Sequence, residues 1–94
     1  MTQVNGDKAT AYSNRLLPLA QMVAGQSGQV LEISGGRGLV RRLDAMGIRP
    51  GKPITKLSSA FFHGPITLRV DHTTLAIGFG MAKKILVEVE DASL

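Results

Sequence analysis

The side chains that could move a proton or hold a divalent metal are few: His63, His72 and the carboxylates Glu32, Asp44 and Asp71 are the first to consider. The chain has no cysteine, which removes disulfides, thiolate metal sites and thiol nucleophiles together. The two histidines and these acids form no recognisable catalytic motif, so no nucleophile, base and oxyanion group are assembled and an enzyme is not expected. Each histidine falls in a turn beside an alternating segment, where imidazole is ordinarily a solvated surface group. A metal shared by His63 and His72 is the lesser reading. Nor does Gly35-Gly36-Arg37-Gly38 make a nucleotide site, because the lysine and hydroxyl that complete a phosphate-binding loop do not follow it. The glycines read as turn chemistry, and no cofactor is expected.

Recognition is better represented than catalysis. Arg37, Arg41, Arg42, Arg49, Lys52 and Lys56 crowd the middle of the chain, while Glu88, Glu90 and Asp91 lie near the end. The formal net charge is +4, and a basic middle suits phosphates, acidic protein surfaces or anionic headgroups as readily as plain solvation. Arg41 and Arg42 are the leading candidates for contact with a partner, since guanidinium groups make directional bonds to carboxylates and phosphates. The alternative is that either arginine bonds backbone carbonyls of its own fold. Met46 is a further candidate, although helix capping and packing already account for Met46-Gly47-Ile48. Phe61 and Phe62 are adjacent in a turn and cannot easily both face a core, so one of them is a candidate adhesive contact for a partner or a second copy.

These residues need elements to hold them. Leu39, Val40, Leu43 and Met46 recur at the spacing of one helical face, leaving Arg41 and Arg42 on the other. Gly47 is placed for a left-handed C-terminal cap, Ile48 for the apolar contact back to Leu43, and Pro50 blocks continuation. Before this helix, Val30, Leu31 and Ile33 suggest a strand over 26–34, closed by Gly35-Gly36. Leu16, Leu17, Leu19 and Met22 suggest a short helical turn opened by Pro18 and ended by Gly25. After the helix come strands at 54–59, at Ile66–Val70, around Leu75, Ile77 and Phe79, and around Ile85, Val87 and Val89, with a helical turn over 80–84. The pattern predicts a mainly β fold, a small barrel of about five strands with inserted short helices.

The 94 residues are enough for one domain and a modest core, and with aromatics limited to Phe61, Phe62, Phe79 and Tyr12 that core must be aliphatic. Residues 1–15 have little to bury and read as a flexible extension; the domain is placed at 16–94. No apolar run resembles a signal peptide or reaches the ~20 residues of a membrane span, so a cytoplasmic location without direct membrane insertion is expected.

The run Arg41-Arg42-Leu43-Asp44-Ala45-Met46-Gly47-Ile48-Arg49-Pro50-Gly51 resembles the signature of the FeoA family, ferrous iron transport protein A. Further elements of that family follow its order: Leu19 and Gly25, Val30 and Ile33 before Gly35-Gly36, Gly64-Pro65-Ile66, Leu75-Ala76-Ile77, and the stretch from Ala82 to Val87. The resemblance spans about residues 16–90. It implies an SH3-like β-barrel, a cytoplasmic location and a supporting role for ferrous iron transport protein B, the membrane GTPase transporter. A related barrel is appended to some metal-dependent repressors, but no helix-turn-helix region accompanies it here.

On this reading the GTP site belongs to the partner, and no stoichiometric iron site is expected because no histidine and carboxylate ligands converge. The function implied is regulation of a transition-metal transporter by protein binding, with self-association left open. A small basic barrel that binds nucleic acid is the rival. It is the weaker one, because Phe61 and Phe62 lie outside the basic segment and so give it no stacking platform.

Overall fold

The computed structural model describes residues 14–90. Positions 1–13 of the expected extension therefore lie outside the described residues, while Asn14 and Arg15 open the first strand. The elements in order are β1 (Asn14–Pro18), a 3-10 turn (Leu19–Gln21), β2 (Ser27–Ile33), α1 (Arg37–Ala45), β3 (Pro53–Ser59), β4 (Ile66–Val70), β5 (Thr73–Ile77), α2 (Phe79–Ala82) and β6 (Ile85–Glu90). The six strands form one antiparallel sheet in the order β1-β6-β2-β3-β4-β5, the SH3-like barrel that the strand pattern and the resemblance predict.

Period-2 alternation places the core. On β4, Ile66, Leu68 and Val70 are buried while Arg69 faces out; on β6, Ile85, Val87 and Val89 are buried. Leu19, Met22, Val30, Leu43, Ile48, Ile54, Ile77 and Ala82 complete the buried core, and among the described residues the one aromatic packed against it is the half-buried Phe79. Two register shifts bend the sheet. Between Val30 and Glu32 the β6 partner advances by one, and between Lys56 and Ser58 the β4 partner does the same. Leu31 and Leu57 are therefore the extra residues of β-bulges, which kink a strand and increase its twist. The first bulge resets the alternation of β2: Leu31 and Glu32 both lie outside, and Ile33 turns back against the core.

Three local expectations are corrected. Leu16 and Leu17 belong to a strand, not to a helical turn, because β1 pairs along β6 from Asn14 opposite Glu90 to Pro18 opposite Leu86; only Leu19–Gln21 is helical. Val40 is exposed, since α1 is short and lies at the barrel's edge, burying Leu43 fully and Leu39 and Met46 only in part. Phe79 begins α2 instead of ending β5, where Gly78 takes the extended N-cap conformation.

Candidate partner-binding surface

The stop of α1 is a complete Schellman motif. Gly47 has φ +88°; its amide donates to the Asp44 carbonyl at 2.9 Å, and the Ile48 amide donates to the Leu43 carbonyl at 2.9 Å. The left-handed turn folds Ile48 back so that it is buried with Leu43. This fixes the helix to the barrel and sets which way its arginines point.

The central basic cluster divides into bound and free groups. The Arg49 guanidinium donates to Asp44 Oδ1 at 3.1 Å, and the Lys52 ammonium donates to Asp71 Oδ1 and Oδ2 at 2.9 and 2.8 Å. That bond and the nearby positive charge hold the Asp71 carboxyl below the usual carboxylate range. Lys56 is buried on the inward face of β3, where its Nζ donates to the Ala20 carbonyl at 3.1 Å and also to the Met22 carbonyl. Burial pushes its ammonium below the ordinary lysine value, because desolvation penalises the charged form. Lys56 is thus a structural latch: with the Gly25 amide bonded to its carbonyl and its own amide bonded to Gln26, it holds the segment 19–26 across β3.

Arg37, Arg41 and Arg42 remain. All three are exposed on α1, and among the described residues none has a hydrogen bond or ion pair. The alternative in which Arg41 or Arg42 bonds the barrel's own carbonyls therefore has no support in the structure. Arg37 and Arg41 stand one turn apart on one face, and Arg42 lies in the last turn, where the negative end of the helix dipole favours a cation. Met46 sits at the C-cap, half-buried against the core, with a structural task before any contact role.

Phe61 and Phe62 form a separate patch in the β3–β4 turn, their ring centroids 6.4 Å apart and the planes tilted by 54°. Both are exposed. Phe62 and His63 take left-handed backbone at φ 57° and 59°, and the turn is closed by the Ala60 amide on the Pro65 carbonyl and the Gly64 amide on the Phe61 carbonyl. His63 then stacks on Phe79 at 4.2 Å and 12°, with the Lys83 ammonium 5.8 Å from the Phe79 centroid. An open cavity of about 300 Å³ lies beside this group, lined by Pro18, Ala20, Gln21, Phe79 and Lys83. Among the described residues, no hydrogen bond, ion pair or ring contact joins the Phe61-Phe62 turn to Arg41 or Arg42.

Sequence reasoning did not anticipate the burial of Lys56 or the His63–Phe79 stack. A signal for the first was available: Lys56 shares the inward parity of Ile54. Nothing local announced the second, which joins residues from two different connections. No cluster of three or more histidine, cysteine or acidic side chains gathers among the described residues.

The FeoA domain family matches residues 17–89, from within β1 nearly to the end of β6. A Methanocaldococcus jannaschii protein provisionally named an Fe(2+) transport protein A is 34% identical over 73 residues, covering 78% of this chain and 87% of its own. The crystal structure of an iron uptake regulatory protein, FeoA, superimposes with a TM-score of 0.73 at 36% identity, covering 80% of this chain and 97% of that one. A manganese-dependent transcriptional repressor shares the fold alone: its TM-score is 0.74 at 24% identity, over 89% of this chain and 47% of the repressor. The match runs through β1, the Schellman-capped α1 and the strands up to β6, and on it the chain belongs to the FeoA family.

Proposed function

We propose that this chain is a cytoplasmic accessory protein of ferrous-iron transport that works by binding the GTPase-bearing cytoplasmic part of the membrane transporter, ferrous iron transport protein B. The observation that carries the reading is the division of the basic cluster. Arg49 and Lys52 are each held by a carboxylate and Lys56 by two carbonyls, whereas Arg41 and Arg42, with Arg37, stand unpaired on a helix whose end is fixed by its cap. The capped helix holds the three arginines on a fixed backbone, and ordering their free side chains against an acidic surface is a cost that suits a modest, regulatory interaction. Membership of the FeoA family and the iron-transport names of its relatives supply the biological setting. The test is a titration of the purified chain against the transporter's GTPase domain, with and without a GTP analogue. Saturable binding that charge reversal at Arg41 and Arg42 abolishes supports the reading. Binding that is absent, or unaffected by the reversal, overturns it.

A further inference from the structure

The β3–β4 turn presents two phenylalanines that are 90% and 99% exposed. A turn closed by two backbone hydrogen bonds, with left-handed residues at Phe62 and His63, holds them outward as a rigid convex tip. Behind the tip, the His63 ring lies flat on Phe79 and the Lys83 ammonium stands over the same ring. The connections that build this region, 60–65 and 78–84, contain no aspartate or glutamate, and the adjoining cavity is lined by apolar groups, one amide and one ammonium.

We propose that this turn is a peripheral membrane anchor: Phe61 and Phe62 enter the interfacial zone of an anionic bilayer while Lys83 meets the headgroups. A lipid interface asks only for an apolar tip and nearby positive charge, and this region has both. A protein pocket for the same tip would ordinarily add directional polar contacts, and His63, already stacked, is the only hydrogen-bonding side chain in the turn. Among the described residues no helix is long and apolar enough to cross a membrane, so attachment through them is superficial and reversible. The inference goes beyond the transporter reading, and vesicles alone give its positive result.

The chain has no tryptophan, so Phe62→Trp introduces a sole indole at the tip. Vesicles of phosphatidylglycerol mixed with phosphatidylcholine should shift its emission to the blue and allow quenching by brominated acyl chains, an effect that phosphatidylcholine alone does not give and high salt reverses. Co-sedimentation of the unaltered protein with the anionic vesicles should fall about tenfold or more in Phe61→Ser/Phe62→Asn, with the melting temperature unchanged because both rings are already in water. An indole that stays water-exposed with anionic vesicles, together with no co-sedimentation of the unaltered protein, overturns the proposal. A shift seen only on adding the transporter's GTPase domain also overturns it and assigns the turn to a protein partner.

Discussion

The backbone amide of Ile48 bonds the carbonyl of Leu43 across the left-handed Gly47, and the two side chains so brought together are both fully buried. Helix end and core are therefore one structure. Leu43→Ala should cost about 2–4 kcal/mol through the cavity it leaves, and Gly47→Ala about 1–2 kcal/mol through its unfavourable φ. Arg41→Ala should leave stability nearly unchanged. Urea denaturation of the three variants checks this, and equal losses would mean that the buried face has been misassigned.

At Gly28, β2 leaves no room for a side chain beside β6. A Cβ there would lie 2.4 Å from the Glu88 carbonyl oxygen and 2.8 Å from Val87 Cγ1, so backbone as well as side chain must move. Gly28→Ala should destabilise by about 1–3 kcal/mol, whereas Gly38→Ala, inside α1 where a Cβ meets nothing within 4 Å, is the control. Comparable melting temperatures for the two variants would refute the crowding.

Lys56 gives stability a pH dependence of definite sign. Its ammonium is lowered below 10.5 by burial, so between its folded value and 10.5 the unfolded chain holds a proton that the folded chain has released. Its contribution to stability therefore rises with pH through that window; below it, the desolvation penalty is fully present. Lys56→Met should lack this rise when both proteins are unfolded at increasing pH up to about 10.5. Parallel curves would show that the ammonium is not held out of water.

The Lys52–Asp71 pair acts at the other end of the scale. Hydrogen bonding to Lys52 is the main cause of the lowered Asp71 value, so its contribution is present above 3.8 and lost as pH falls through the folded value. Replacing Lys52 with Met should flatten the acid limb of the stability curve, modestly because the pair is exposed to solvent. A limb of unchanged slope would remove the pair from the account of acid stability.

Arg41→Glu with Arg42→Glu tests the helix surface in cells. Ferrous-iron uptake should fall while the protein remains folded and abundant, and the loss of transporter binding should be larger at low salt than at high salt. Undiminished uptake would move attention to the barrel's other face.

Much of this was legible from residue types alone. Gly47, Ile48 and Pro50 write the end of α1 unambiguously, and Ile66, Leu68 and Val70 alternate as a half-buried strand must. Leu16 and Leu17 misled because helical spacing and a short apolar run look alike, and only β6, seventy residues away in the chain, decides between them. Lys56 read as part of a basic surface because charge is visible in a sequence, whereas the Ala20 and Met22 carbonyls that receive it are tertiary. Of the candidate contacts, Arg41 and Arg42 lie outside as expected and the turn exposes both Phe61 and Phe62 where one was expected, but their separation into two patches depends on the tertiary fold.

The pairing of β1 with β6 orders events during synthesis. Asn14 lies opposite Glu90, and β6 sits between β1 and β2, so among the described strands the last to be made completes the neighbourhood of the first. On the ribosome β2 to β5 can pair as hairpins while β1 waits, its apolar side uncovered, until β6 leaves the exit tunnel. Contacts this distant in sequence slow folding. A circular permutant that joins β6 to β1 through a short turn and opens the chain at the β4–β5 hairpin would make that pairing local, and it would be expected to fold faster into the same barrel.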